Sequence, residues 1–406
     1  MTPIPPTTGD VHPAAPGATG WFTPADCRLD DLRALVEQAT DPADYPHAEA
    51  VVSNVLIYGP SIASLAADAQ RRRVVQAEVA RALHDGPGVV VFSGAFPERG
   101  VLDAATVAFE AMIAEQKAAG GPAGDHFAAP GANDRVWGAL DKLAVRAPEV
   151  FAAYYANDII ALVSEAWLGT NYQVTSQINV VNPGGAAQLA HRDYHLGFMS
   201  QQQALGYPAQ VHRLSPLLTL QGAIAHGDMP LASGPTLLLP HSQKYPAGYV
   251  AFHQAEFAAY FEAHHAQVSL RSGDAVFLNP ALFHAAGTNR TADVRRMANL
   301  LQVSSAFGRT METVDRQAMC LALHPSLLAM AAEHGAQARP VRNVIAAAAE
   351  GYAFPTNLDH DQPLGGMAPP SQADLVRQAV AERWPREKLA SALDSHRARR
   401  AGSPHL

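Results

Sequence analysis

His191 and Asp193 stand two residues apart in AHRDYH, after the apolar run INVV and the turn-forming stretch NPGGAAQ. If the segment is extended, both side chains point to one face. An imidazole and a carboxylate on one face, joined by a second imidazole from elsewhere, make the 2-His-1-carboxylate arrangement that holds Fe(II) and leaves coordination positions open. His284 is the candidate for that second imidazole, because it follows the strand-like VFLNPALF and precedes AAGTN, where a strand meets a turn. A single histidine near an apolar strand more often bonds a backbone carbonyl, so the assignment draws on all three residues together. A fourth residue type adds to it: Arg295 opens the strand-like run RRMANLLQVS, eleven residues after His284. A guanidinium buried on a strand is costly unless an anion meets it, and its planar fork suits a carboxylate such as that of a 2-oxo acid. Alternation puts Arg295 and Arg296 on opposite faces, and periodicity alone does not choose between them.

These residues need a scaffold of short strands. AVVSNVLIYG, VVVF within residues 87–97, residues 217–225, 236–239, 268–270, 275–278 and 295–304 all read as strands, with turns at Ser272-Gly273-Asp274 and Gly287 to Asn289. Many short strands with Gly and Pro turns predict a sandwich or barrel. Helical spacing is expected over residues 62–85, 101–118, from Arg135 to about Trp167, over 250–266, and in three stretches beyond residue 310. The resulting division is a disordered leader over 1–20, a helical N-terminal segment over 21–86, a β domain over 87–309 and a helical C-terminal extension over 310–406. The Gly-rich stretch from residue 120 to 134 reads as a loop near a site or an edge.

Composition narrows the function. The 406 residues, 48% of them hydrophobic, suffice for a large core. The net charge of −8 and the lack of a dense basic stripe argue against nucleic acid as a partner. Cys27 and Cys320 are the only cysteines, too few for a disulfide framework, which fits a cytoplasmic protein. No run approaches the roughly 18 apolar residues of a membrane span. A small-molecule ligand is the expectation; the oligomeric state is not readable.

The HRD at 191–193, the GD at 273–274 before a strand, His284 in HAAGTNR and Arg295 eleven residues on together resemble the phytanoyl-CoA dioxygenase-type Fe(II)/2-oxoglutarate oxygenases. GDMPLASGPTLLLPHSQKY resembles a stretch of that family as well, and the likeness spans roughly residues 87–308. The resemblance implies a mainly β core with added helices, a double-stranded β-helix also called a jelly roll or cupin-like barrel. It implies Fe(II) on His191, Asp193 and His284, with 2-oxoglutarate and O2 as cosubstrates and Arg295 on the far carboxylate of 2-oxoglutarate. Several relatives carry a hydroxyl residue two positions after the distal histidine, where this chain has Ala286. Asn179 and Gln188 are therefore candidates to assist the arginine, each also able to satisfy buried backbone groups. Halogenating relatives have a small residue where Asp193 stands, so hydroxylation or another C–H oxidation is implied, with release of succinate and CO2.

Tyr194, His195 and Phe198, just beyond the ligand pair, and Arg135 with Trp137 after the Gly-rich loop are candidates for substrate contact, against a plain reading of each as packing. No Lys/Arg cluster stands out for the phosphates of an acyl-CoA, which favours a small polar metabolite or a secondary-metabolite intermediate. Two other classes remain open at this stage: a cupin-type metalloenzyme that does not use 2-oxoglutarate, and a catalytically silent β-barrel that only binds.

Overall fold

The computed structural model describes residues 20–120, 131–363 and 365–402. The leader expected over 1–20 lies almost wholly outside the described residues, as do 121–130 of the Gly-rich stretch and the last four residues. Ten strands are present in chain order among the described residues: β1 (Ala50–Val52), β2 (Val55–Tyr58), β3 (Val89–Phe92), β4 (Asn133–Val136), β5 (Gln173–Val181), β6 (Thr219–Ala225), β7 (Leu237–Leu239), β8 (Ala275–Leu278), β9 (Phe283–Ala285) and β10 (Arg296–Ser304).

Eight of them form one sheet in the order β1-β2-β3-β8-β6-β10-β5-β4, and β7 pairs with β9 in a second, small sheet. The long antiparallel pairings of β10 with β5 and β6 form the centre of the large sheet. This is the jelly-roll arrangement expected, with helices added. The segment 21–86 contributes more than helices: β1 and β2 join the large sheet, β2 running parallel to β3. The expected helix over 62–85 is split into Ser61–Leu65 and Ala69–His84, because the Asp68 side chain accepts from the amides of Gln70 and Arg71 and starts a new helix. Residues 268–270 form only an isolated bridge, between Leu270 and Met229.

Strand alternation gives the large sheet two different faces. Tyr58, Phe92, Ile178, Leu220, Phe277 and Leu301 point outward into a core shared with helices Ala69–His84, Arg99–Ala118, Ala139–Arg146, Pro148–Tyr155 and Asp158–Leu168. The C-terminal helices Arg316–His334 and Arg339–Ala348 pack there too, through Leu323, Leu327 and Val344. The extension therefore covers the back of the sheet. The inner face carries Val91, Ala225, Val276 and Ala298, which meet Leu238 of the small sheet. Each of the Val and Leu side chains fully buried here stabilises the fold by about 1.5–3 kcal/mol. A slip of one residue would exchange the two faces of a strand, so the register of β5 and β10 is strongly fixed.

The inner face of β5 departs from this apolar pattern. Gln173, Thr175, Gln177 and Asn179 alternate with Val174, Ser176, Ile178 and Val180, and the set pointing inward is the polar one. Thr175 and Gln177 are nonetheless buried. Polar groups in such a position need partners, and the space they face is the candidate site.

Candidate metal centre

Beyond Val181 the chain leaves β5 and returns alongside the segment that carries His284. His191 and His284 form an isolated antiparallel bridge, His191 N donating to His284 O at 3.0 Å and His284 N to His191 O at 3.1 Å. Asp193 N donates to Pro280 O at 3.0 Å. This short ladder holds residues 191 and 193 extended on one face, opposite His284, as their spacing requires.

The three side chains converge: one ligand atom from each of His191, Asp193 and His284 lies within 4.8 Å of the others. His191 Nε2 is 3.5 Å from Asp193 Oδ1, and His284 Nε2 is 3.3 Å from Asp193 Oδ2. Each Nδ1 faces a backbone carbonyl, that of Leu189 at 2.8 Å for His191 and that of Leu282 at 2.9 Å for His284. A carbonyl only accepts, so both Nδ1 atoms carry the proton and the Nε2 lone pairs are turned toward the shared space. The donor set, two nitrogens and a carboxylate in fixed orientation, fits a divalent first-row metal such as iron.

The electrostatics agree. Burial opposes ionisation of Asp193, but the two imidazoles and a hydrogen bond from Gln221 outweigh it and hold the carboxyl well below the usual carboxylate range. Burial, with a smaller contribution from His284, lowers the pKa of His191. For His284 burial acts in the same sense, but the bond to Asp193 and its charge prevail and the pKa is raised. Without a cation the cluster thus keeps a negative charge that attracts either a proton or a metal.

Gln221, at an inward position of β6, was not singled out by sequence. Its Nε2 donates to Asp193 Oδ2 and lies 3.3 Å from His284 Nε2. The signal was present in LLTLQGAIA, a single amide within an apolar strand. Arg192, between the two ligands, was also passed over. It is fully buried, its Cζ 5.0 Å from the ring centroids of both Tyr249 and Phe283, and it donates to the carbonyls of Ser242 and Tyr245 at 2.7 and 2.9 Å. A Cβ at Gly248 would fall 1.9 Å from Arg192 Cζ, so only glycine admits the guanidinium there. Arg192 anchors the backbone from which both ligands project.

The arginine pair resolves in favour of the other member. Arg295, the residue expected to grip 2-oxoglutarate, is turned to the outer side: it is 45% exposed, donates to Glu110 Oε1 at 2.9 Å and lies 3.6 Å from Asp134. Arg296 is the inward one, 7% exposed, and its Nη1 donates to the carbonyls of Ser233 at 3.0 Å and Gly287 at 3.4 Å. The reason is register. Arg296 begins β10 on the same face as Ala298, and residue 295 falls on the face of helix Arg99–Ala118, which supplies Glu110. Burial lowers the Arg296 pKa to about 10, so it remains a cation at neutral pH.

Asn179 points inward between Arg135 of β4 and Ala298 of β10, and its Oδ1 is buried with no hydrogen-bond partner among the described residues. Gln188 is used by the backbone, its Oε1 accepting from Ala286 N at 3.3 Å. Tyr194 is buried, with a left-handed φ of 62°, its ring 5.6 Å from that of Phe198. Phe198 itself is 58% exposed. His195 is not part of the ligand cluster; its Nδ1 lies 3.3 Å from Ser215 Oγ. Arg135 is buried with its Cζ 4.8 Å from the Trp137 ring centroid.

The family model described as Phytanoyl-CoA dioxygenase (PhyH) matches residues 71–297. No curated protein matches the chain significantly. Among solved structures, the chain is similar to the non-heme alpha ketoglutarate dependent epimerase SnoN from nogalamycin biosynthesis, at 19% identity and a TM-score of 0.41, covering 59% of this chain and 82% of that one. It is similar to AviO1 from Streptomyces viridochromogenes Tue57, at 17% identity and a TM-score of 0.41, covering 57% and 95%. It is also similar to HygX from Streptomyces hygroscopicus, solved with nickel, 2-oxoglutarate and hygromycin B bound, at 15% identity and a TM-score of 0.38, covering 57% and 88%.

Proposed function

Because the chain belongs to the phytanoyl-CoA dioxygenase family, and is therefore a non-haem iron enzyme that uses Fe(II), 2-oxoglutarate and O2, we propose that it hydroxylates, or otherwise oxidises a C–H bond of, a small-molecule metabolite. The convergence of His191, Asp193 and His284 is the observation that carries this reading. When bound, iron and its cosubstrates supply the oxidising power, with succinate and CO2 as co-products.

The chain's own residues hold and orient. His191, Asp193 and His284 are the proposed ligands, pre-set by the Nδ1 bonds to Leu189 and Leu282. Gln221 keeps the Asp193 carboxylate from rotating. Arg296 takes the role that the sequence suggested for Arg295: a guanidinium held by two carbonyls still has donors to offer a carboxylate. Asn179, inward on β5 near Arg296, is the second proposed contact at that end, where its NH2 group can donate to a carboxylate. Val91, Ala225, Val276, Ala298 and Leu238 wall the interior against water. Asp193 occupies the position of a ligand carboxylate, which favours hydroxylation over halogenation.

No helix among the described residues is long and apolar enough to cross a membrane. Cys27 and Cys320 are both buried free thiols, which supports the cytoplasmic setting proposed from the sequence. The test is aerobic incubation of the Fe(II)-loaded protein with 2-oxoglutarate and a panel of small metabolites, following succinate. Succinate release stimulated by at least one metabolite and lost in His284→Ala is expected. Succinate formation that His284→Ala leaves unchanged would refute the assignment.

A further inference from the structure

On the inner face, β6, β10 and β5 carry amides side by side. Gln221 pairs in register with Gln302, and Gln302 with Thr175. Gln177 Nε2 donates to Gln302 Oε1 at 3.2 Å. Gln177 also reaches the segment that follows β10, its Nε2 lying 4.0 Å from Sδ of Met311, the residue before Glu312. A polar strip therefore runs from the metal ligands, through Gln221, Gln302 and Gln177, toward Glu312.

The segment bearing Glu312 is fastened to the sheet. Gln173 Nε2 donates to the carbonyls of Ser305 and Gly308 at 2.9 and 3.1 Å, and Ser304 Oγ donates to Arg309 O at 3.1 Å. Glu312 Oε1 accepts from Gly138 N at 2.8 Å, which accounts for one carboxylate oxygen. The other, Oε2, is buried and has no hydrogen-bond partner among the described residues. The Tyr194 hydroxyl is in the same condition. Tyr194 directly follows the ligand Asp193 and is buried. Two orphaned buried oxygens cost free energy that a bound polar group would recover.

We infer that Glu312 and Tyr194 anchor the substrate, and that the substrate carries an amino or hydroxyl group which donates to Glu312 Oε2. The Tyr194 hydroxyl and the Gln177–Gln302 pair border the same group. An acid of which only one oxygen is engaged selects donors and cations and disfavours carboxylates, phosphates and other anions. The cosubstrate and the substrate are thus sorted by charge, the diacid toward Arg296 and the amine or alcohol toward Glu312. This inference rests on the iron and 2-oxoglutarate reading above.

The test uses three probes with one ring and different head groups: cyclohexylamine, cyclohexanol and cyclohexanecarboxylate. Each is titrated calorimetrically into the anaerobic Fe(II) and 2-oxoglutarate complex of the full chain, while the visible charge-transfer band is recorded. Cyclohexylamine should bind most tightly, cyclohexanol less so and cyclohexanecarboxylate not at all. Glu312→Gln should weaken cyclohexylamine at least tenfold and leave the band unchanged. The ranking in the unaltered protein decides the matter without a variant, should Glu312→Gln fail to fold. Equal binding of the carboxylate and the amine, no binding by any probe, or an unchanged amine affinity in Glu312→Gln would overturn the inference. A missing band in the unaltered protein would instead refute the iron and 2-oxoglutarate reading itself.

Discussion

The two flanks of the metal centre are built from opposite materials. One is cationic: Arg296, at the start of β10, is buried and held by the carbonyls of Ser233 and Gly287, in the strand neighbourhood of Asn179. The other is a row of amides ending in an acid, from Gln221 through Gln302 and Gln177 toward Glu312. Both flanks draw on β5 and β10, with Gln221 added from β6 and Glu312 from the segment after β10, while Val91, Ala225, Val276 and Ala298 make an apolar part of the inner wall. On the reading proposed above, this difference lets one barrel hold two small molecules without confusing them. A keto-diacid that chelates a metal at one end needs a cation at the other, and in this reading Arg296 offers one. A ligand carrying an amine or hydroxyl donor is proposed to be met by the Glu312 flank.

Substitutions can break this asymmetry in graded steps. Arg296→Ala removes the cation, and loss of a buried charged partner costs about 3 kcal/mol, so the Kd for 2-oxoglutarate should rise roughly a hundredfold or more by calorimetry. Gln221→Ala leaves both flanks standing but frees the Asp193 carboxylate, and Fe(II) affinity measured by competition with a chelator should fall about 10- to 100-fold.

Acidity sharpens the picture further. In the metal-free protein the His284 pKa is raised, so its protonated form stabilises the fold fully below the unfolded value of about 6.5, and that contribution fades as pH rises through the folded value. A metal must displace the same proton. Fe(II) affinity should therefore increase with pH across that window, by about tenfold per unit while one proton is released, and level off above it. The smallest effect belongs to Arg295→Ala. Its partners Glu110 and Asp134 lie on the outer side, so 2-oxoglutarate binding should be unchanged and stability should fall by less than about 1 kcal/mol in a denaturant titration.

Much of this was legible in the sequence. The short apolar runs between Gly and Pro turns marked the strands, and the two-residue spacing of His191 and Asp193 with His284 before AAGTN marked the cluster. The choice between the arginines was not legible, because the partner that draws Arg295 outward is Glu110, 185 residues away. The β5 run QVTSQINVV alternates except at Ser176, and apart from Asn179 periodicity alone would leave its polar set on a solvated face. The structure buries Thr175 and Gln177 instead, since the inner face of this strand lines a site and not a plain core. Glu312 had no local signature: it lies in an irregular segment, and its proposed role rests on Gly138 and, through Met311, on Gln177, both far from it in the chain.

The most direct test of the metal centre is an anaerobic titration of the protein with Fe(II) and 2-oxoglutarate, monitored in the visible range. A chelate charge-transfer band that saturates at one iron per chain, disappears in Asp193→Ala, and needs far more 2-oxoglutarate in Arg296→Ala than in Arg295→Ala is the predicted result. A band that persists in Asp193→Ala, or that depends on Arg295 and ignores Arg296, would contradict it.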